Sequence, residues 1–306
     1  MKFNFIVNPN SGNGSGMEVW SSAEELLKEK QAEYSVYFTK ASLDAMHRAA
    51  ELTADLKEET AVIAVGGDGT IDEVLNGLNL ESPVVFGFIP SGSGNDLGRS
   101  MGMNGDVASV IDKLIDHPNI TGMDFGEMTL PGGQTRRFAV SCGIGFDAAV
   151  CHSIEKSKLK NFFNKLHMGK AVYTAIGFGE YLKAKASQAV VTLDGGQKLE
   201  FGSVFFISCQ NHPYEGGGYH FAPNAKWNDG KVDVTVINSL NRIKLFPVLI
   251  NKENGVKENA FIRFLAADEV DIQLNKPMPV HADGEIFGRQ SGIRVRSIHG
   301  KLRVFS

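Results

Sequence analysis

An open parallel sheet flanked by helices, followed by an antiparallel half-buried sheet, is the fold class this sequence predicts. Three observations predict it. Unbroken apolar runs alternate with helical patterns in the first third, and apolar and polar residues alternate strictly in strands beyond about residue 120. The chain also has 306 residues, long for one hydrophobic core and comfortable for two domains.

Taken in order, Phe3 to Val7 is a short apolar run, and Ala61 to Val65 and Val84 to Phe88 are two more. Such runs suit parallel strands buried on both faces. Between them Leu43, Met46, Ala50 and Ala54 fall at steps of three and four. Val107, Val110, Ile111, Leu114 and Ile115 repeat that pattern behind Asp106, whose carboxylate can cap the helix. Strand–helix–strand order of this kind implies α/β architecture with helices on both sides of the sheet. Later, Val232, Val234 and Val236 face one way while Lys231, Asp233 and Thr235 face the other, and residues 270–274 and 293–296 alternate likewise. The domain boundary is expected near residue 125. That gives an α/β domain over 1–125 and a β-rich domain over 126–292, with strands near 293–306 free to return to the first. The cleft between them is the expected working site.

Bulk composition narrows the function classes. A formal net charge of −4 argues against a protein that coats nucleic acid. Cys142, Cys151 and Cys209 form no CxxC pair, which fits a reduced cytosolic protein and excludes a disulfide scaffold. No stretch approaches the roughly 18 apolar residues of a spanning helix, and the N-terminus lacks the pattern of a signal peptide. Any contact with membranes is therefore expected at their surface.

Three loops carry the chemistry. The first strand ends in Asn8-Pro9-Asn10-Ser11-Gly12-Asn13-Gly14-Ser15-Gly16, where glycines let backbone N–H groups turn toward an anion at a helix N-terminus. It is not a Walker loop, because no Gly-Lys-Ser/Thr follows. The second strand runs into Gly66-Gly67-Asp68-Gly69-Thr70, and Ile71-Asp72 begins a helix. A lone carboxylate among phosphate-binding amides would repel its ligand unless a cation stood between them, and Mg²⁺ resolves that conflict. An ordinary Asp-Gly turn is the plainer reading, but the motif leaves the C-terminal end of a buried parallel strand, where such sheets bind ligands. The third loop, Ile89-Pro90-Ser91-Gly92-Ser93-Gly94-Asn95-Asp96, leaves the same edge. Ser93 can hydrogen-bond a phosphate, and Asp96 can hold metal or orient a hydroxyl.

Together these loops resemble the diacylglycerol kinase and sphingosine kinase family of lipid kinases, in its bacterial branch. Gly216-Gly217-Gly218-Tyr219-His220-Phe221-Ala222-Pro223-Asn224-Ala225, then Asn228-Asp229-Gly230-Lys231-Val232, and Ala282-Asp283-Gly284-Glu285 are similar to further signatures of that family. GGDGT alone is shared with NAD kinases. The combination is more selective and spans nearly the whole chain.

The resemblance implies an N-terminal three-layer α/β nucleotide-binding domain and a C-terminal β-sandwich, with ATP in the cleft. It implies nucleotide contacts from Asn8, Pro9, Asn10, Ser11, Gly12, Thr39, Gly66, Gly67, Asp68, Gly69, Thr70, Ile71, Asp72 and Ser93. Glu285 would accept the hydroxyl proton, although from the residues alone Asp283 stays open as the base. A structural Mg²⁺ would sit at Asp229, with carbonyls of Lys226 and Lys231. Phosphoryl transfer asks for alignment, charge neutralisation and a proton acceptor, roles that Asp68, Asp96 and Glu285 can fill. Two departures stand out: relatives often carry Lys where this chain has Asn13 and Ser15, and Asn where it has Asp72. Lys40, Arg48 or Arg99 could supply the missing cation.

The acceptor would be a membrane lipid, diacylglycerol first, met at the inner face of the membrane by a cytoplasmic protein. Residues 155–185 mix Lys156, Lys158, Lys160 and Lys165 with Leu159, Phe162 and Phe163, a composition suited to anionic headgroups or equally to a packed helix with a solvated face. His212, His220 and His281 match no zinc spacing and are expected to pack in loops. A homodimer is compatible with the family. The competing readings are an NAD kinase and a catalytically silent nucleotide- or lipid-binding regulator.

Overall fold

The computed structural model describes residues 1–92, 94–156, 177–239, 245 and 256–306. Strands β1 (Lys2–Val7), β3 (Thr60–Gly66) and β4 (Val84–Pro90) lie where the apolar runs place them and pair in parallel, β3 between the other two. β3 is buried along its whole length, as a strand covered on both faces must be. A further parallel strand, β2 (Tyr34–Phe38), adds outside β1. It lies at the end of the sheet and Val36 stays exposed, so it shows no unbroken apolar run and periodicity misses it.

Helices α1 (Ser15–Glu29), α2 (Asp44–Thr53), α3 (Asp68–Gly77), α4 (Asp96–Ser100) and α5 (Val107–Ile115) complete this half. α1 packs with α5 and α2 with α3, one pair over each face of the sheet, which makes three layers. Trp20 of α1 is fully buried against Phe5, Tyr34 and Phe38. Asp106 caps α5 by accepting the Ser109 N–H at 2.7 Å.

The remaining elements are β5 (Ile120–Thr129), β6 (Thr135–Phe138), β7 (Ser141–Gly145), α6 (Phe146–Lys156), β8 (Ser187–Leu193), β9 (Gln197–Val204), β10 (Phe206–Gln210), β11 (Val232–Ile237), β12 (Ile262–Ala267), β13 (Glu269–Ala282) and β14 (Glu285–Phe305). β14 joins the two halves. Its start pairs antiparallel with β13, its length with β5, and near its end Val304 pairs in parallel with Phe86 of β4. One sheet therefore runs β2-β1-β3-β4-β14-β13-β7-β10-β11-β12, with β5–β6 and β8–β9 branching from it. Phe305 returns to stack on Phe3, ring centroids 6.4 Å apart.

The C-terminal β-sandwich closes over Val191, Val234, Val270, Ile272, Val280 and Val295. A separate aromatic cluster gathers Tyr181, Phe205, Phe206 and Phe146. Two expectations change here. Thr235 is buried, not solvated, because its hydroxyl donates to the Phe221 carbonyl at 2.7 Å and that face is covered as well. Cys142 and Cys209, remote in sequence, are direct partners across β7 and β10, both as free thiols.

Candidate active site

The three glycine-rich loops meet at the C-terminal edge of the parallel strands and are stitched to one another. Asn8, just past β1, donates from Nδ2 to Thr70 Oγ1 at 3.1 Å. Ser11 Oγ lies 2.6 Å from Ser91 Oγ, and Ser15 Oγ donates to the Ser91 carbonyl at 3.1 Å. Ser15 is thus spent on tying the first loop to the third. Gly12 has φ +55°, and a Cβ there would stand 2.1 Å from the Ser91 carbonyl oxygen. Gly67 and Gly92 approach backbone to backbone: a Cβ on Gly92 would meet the Gly67 Cα at 2.6 Å. The floor these loops make is therefore bare main chain, with the N-termini of α1 and α3 beneath it.

Asp68 opens α3 and receives two amides from the third loop, Asn95 N–H on Oδ2 at 2.9 Å and Asp96 N–H on Oδ1 at 3.1 Å. Burial, with the Asp96 and Asp283 charges, pushes its carboxyl up to about 6, against the pull of those amides. Asp96 is buried too, and burial raises it above the ordinary carboxylate range. It pairs with Arg99 at 2.7 Å on one oxygen and takes the Gly217 N–H at 2.7 Å on the other. Of the cations considered from sequence, Arg99 lies at the loops, resting over the Tyr214 ring at 5.7 Å, whereas Arg48 pairs with Glu51 over Tyr37.

From the opposite side comes the turn between β13 and β14. Asp283 (φ 44°) and Gly284 (φ 88°) form a tight two-residue hairpin turn with both residues left-handed, flanked by the Ala282–Glu285 pair. The Asp283 carboxylate accepts three backbone N–H groups, from Ala139 (2.6 Å), Val140 (3.0 Å) and Ser141 (2.9 Å). Burial raises it to about 6 in spite of them. Glu285 stands exposed at the start of β14.

The other sequence-derived residues fall as follows. Thr39 is buried and its N–H bonds the Val7 carbonyl at 2.9 Å, while Ile71 is buried in the core. Pro9 is half-buried and Asn10 exposed, its N–H on Asn8 Oδ1 at 3.1 Å. Asp72 is 1% exposed and ion-paired with Arg136 of β6, its other oxygen taking Asn76 Nδ2 at 2.9 Å. Ser93 lies outside the described residues, as does most of the Lys-rich stretch. Asp229, Lys226 and Lys231 cluster away from the loops. Asp229 accepts the Lys231 N–H at 3.1 Å, and burial together with the Asp229 charge pushes nearby Asp233 up to about 6. A cation against those two carboxylates would relieve that repulsion.

Arg136 escaped the sequence reading, as did a buried group made of Asp147, Glu215 and His281. Their ligand-type atoms lie within 4.8 Å of one another, the one such trio of metal-ligating types among the described residues. His281 is no loop-packing residue: it sits on β13, two residues before Asp283, with Nε2 3.3 Å from Asp147 and 3.2 Å from Glu215.

Both halves of the chain are similar to known proteins. Residues 2–128 match the diacylglycerol kinase catalytic domain, and residues 140–306 match the YegS C-terminal NAD kinase beta sandwich-like domain. A Bacillus subtilis (strain 168) protein named "Putative lipid kinase YtlR" is 29% identical over 98% of this chain and 98% of its own. A diacylglycerol kinase of the same organism is 30% identical over 94% of this chain and 90% of its own. The crystal structure of a diacylglycerol kinase from Bacillus anthracis str. Sterne superposes with a TM-score of 0.75 at 22% identity, covering 99% of this chain and 96% of that one.

Proposed function

This chain belongs to the diacylglycerol kinase family of lipid kinases, and from that premise we propose that it transfers the γ-phosphate of ATP to a membrane-lipid hydroxyl, diacylglycerol being the first candidate. The observation that carries this reading is the meeting of Asp68 and Asp96 beneath three bare-backbone loops, with Glu285 delivered from the other half by a rigid turn.

The loops suit a triphosphate because their glycines let them pack backbone to backbone, and amides and helix N-termini suit anionic oxygens. Asp68 and Asp96 fit a divalent cation, Mg²⁺ by this reading. Burial raises both carboxyls above their ordinary value, and a cation there would favour their ionised forms. When bound, that cation supplies positive charge to the phosphate oxygens.

Glu285 is the proton acceptor in this account. Asp283 has its oxygens committed to three amides, so its role is to hold the turn, while Glu285 is open to a substrate hydroxyl. The lipid oxygen bonds to the γ-phosphorus as the bridging P–O bond to ADP breaks, and the hydroxyl proton passes to the Glu285 carboxylate. Peripheral membrane contact at residues 155–185 is part of the proposal. In its described part, Phe178 and Leu182 are 50% and 48% exposed beside Lys183 and Lys185.

The test offers diacylglycerol, phosphatidylglycerol and sphingosine in mixed micelles, and NAD separately, to purified protein with labelled ATP and Mg²⁺. Label on diacylglycerol, lost in Asp68→Ala, supports the proposal; label on NAD alone overturns it.

A further inference from the structure

A buried polar group in the C-terminal half lies apart from the three glycine-rich loops. His281 is 1% exposed, and its Nε2 is shared by the carboxylates of Asp147 at 3.3 Å and Glu215 at 3.2 Å. The remaining carboxylate oxygens are also occupied. Glu215 Oε2 accepts from Ser208 Oγ (2.9 Å) and Gln210 Nε2 (2.6 Å), and Asp147 Oδ1 takes the Ala148 N–H (2.7 Å) at the start of α6. Space for the group is built into the sheet. Gly143 of β7 stands opposite His281, and a Cβ on it would lie 1.9 Å from Asp147 Oδ2 and 2.8 Å from His281 Nε2.

Both ends of this strap lead to the site. Glu215 closes its own loop through paired backbone bonds with Tyr219 (2.9 and 2.8 Å), and inside that loop the left-handed Gly217 hands its N–H to Asp96. His281 is followed by the Asp283–Gly284 turn that presents Glu285. Resting on the lipid-kinase reading, we propose that His281 is a positioning residue for phosphoryl transfer: as the cation between Asp147 and Glu215 it locks the Gly216–Gly218 loop and the Glu285 turn to one another.

The charge state follows from the count of charges. Two ionised carboxylates buried against a neutral ring would leave two uncompensated charges, whereas an imidazolium offsets one of them. At the ring's other edge the Gly284 N–H donates to Nδ1 at 3.4 Å, a long bond that an imidazolium gives up for its pairing with the carboxylates. Burial opposes the charge on His281, but Cys151, Asp147 and Glu215 together raise it well above its ordinary value, and Asp283 is the next charge along the strand.

The test is a charge-balance cycle on the full chain. His281→Gln is expected to lower kcat for lipid phosphorylation about 30-fold with the ATP KM within about threefold, since the nucleotide loops lie on the other half. Adding Glu215→Gln to His281→Gln removes one negative charge with the lost positive one, and is expected to restore kcat about tenfold. In ¹⁵N-histidine NMR of the wild type, the His281 ring should remain doubly protonated at pH 7.5. A neutral ring at that pH, a bound transition metal found by elemental analysis, or equal losses in single and double variants would overturn the proposal. Should the wild type phosphorylate no lipid, the kinase reading falls by itself, and the NMR state of His281 still decides whether the strap carries the charge assigned to it.

Discussion

The Asp96 carboxylate accepts the Gly217 N–H at 2.7 Å, and this contact ties the third glycine-rich loop to the glycine loop of the antiparallel half. Asp96 also anchors Arg99, and its own N–H is held by Asp68. Replacing it with Ala removes an acceptor from two donors and a carboxylate from the proposed cation site. Asp96→Ala is expected to cut kcat/KM at least about 100-fold, with steady-state kinetics as the check. Asp96→Asn, which can still accept the Gly217 N–H, should retain more of the fold's stability than of its activity.

Asp72 and Arg136 form a buried pair across the first-half helix α3 and strand β6. A residue that from sequence looked like a departure at the nucleotide loop is answered by a partner 64 positions away. Breaking the pair from either side leaves a buried charge, so Asp72→Ala and Arg136→Ala should each cost about 3 kcal/mol in urea denaturation, and the double variant less than their sum. Equal additivity would show that the two do not interact.

Asp68 and Asp283 each have a folded-state value of about 6 against an unfolded value of 3.8. The folded protein therefore binds more protons than the unfolded chain between those values, and these two groups make stability fall as pH rises from about 4 to 6. A divalent cation competes with the protons. The rise in Tm on adding Mg²⁺ is accordingly expected to be larger at pH 7.5 than at pH 5, and to shrink in Asp68→Asn at pH 7.5. A Mg²⁺ effect that grows toward acid pH would contradict the assignment.

Gly12 is held left-handed at φ +55° with the Ser91 carbonyl where a Cβ would go. Gly12→Ala must shift backbone, parting the first loop from the third. The expected result is an ATP KM raised about tenfold with the lipid KM unchanged, read from paired substrate titrations.

How much of this was legible in the sequence depends on the range of the interaction. β3 and β4 could be read because burial on both faces writes an unbroken apolar run, and α5 because Asp106 caps it locally. The glycine loops could be read because a backbone that must approach a ligand admits few residue types. β2 could not, since an edge strand needs no continuous apolar run. Nor could the Asp72–Arg136 pair or the His281–Asp147 contact, whose partners lie 64 and 134 positions apart. Nothing local distinguishes such a residue from a solvated one. The three amides from residues 139–141 on Asp283 were likewise out of reach, since only the folded chain brings them there.

The central claim is that Glu285 takes the proton while the loops of the other half hold the nucleotide. The most direct measurement is label transfer from ATP to diacylglycerol in mixed micelles by wild type and Glu285→Gln, with ATP affinity measured by calorimetry on the same samples. The account predicts wild-type transfer, a loss of at least about 100-fold in Glu285→Gln, and ATP affinity unchanged within about twofold. Undiminished transfer by Glu285→Gln would contradict it.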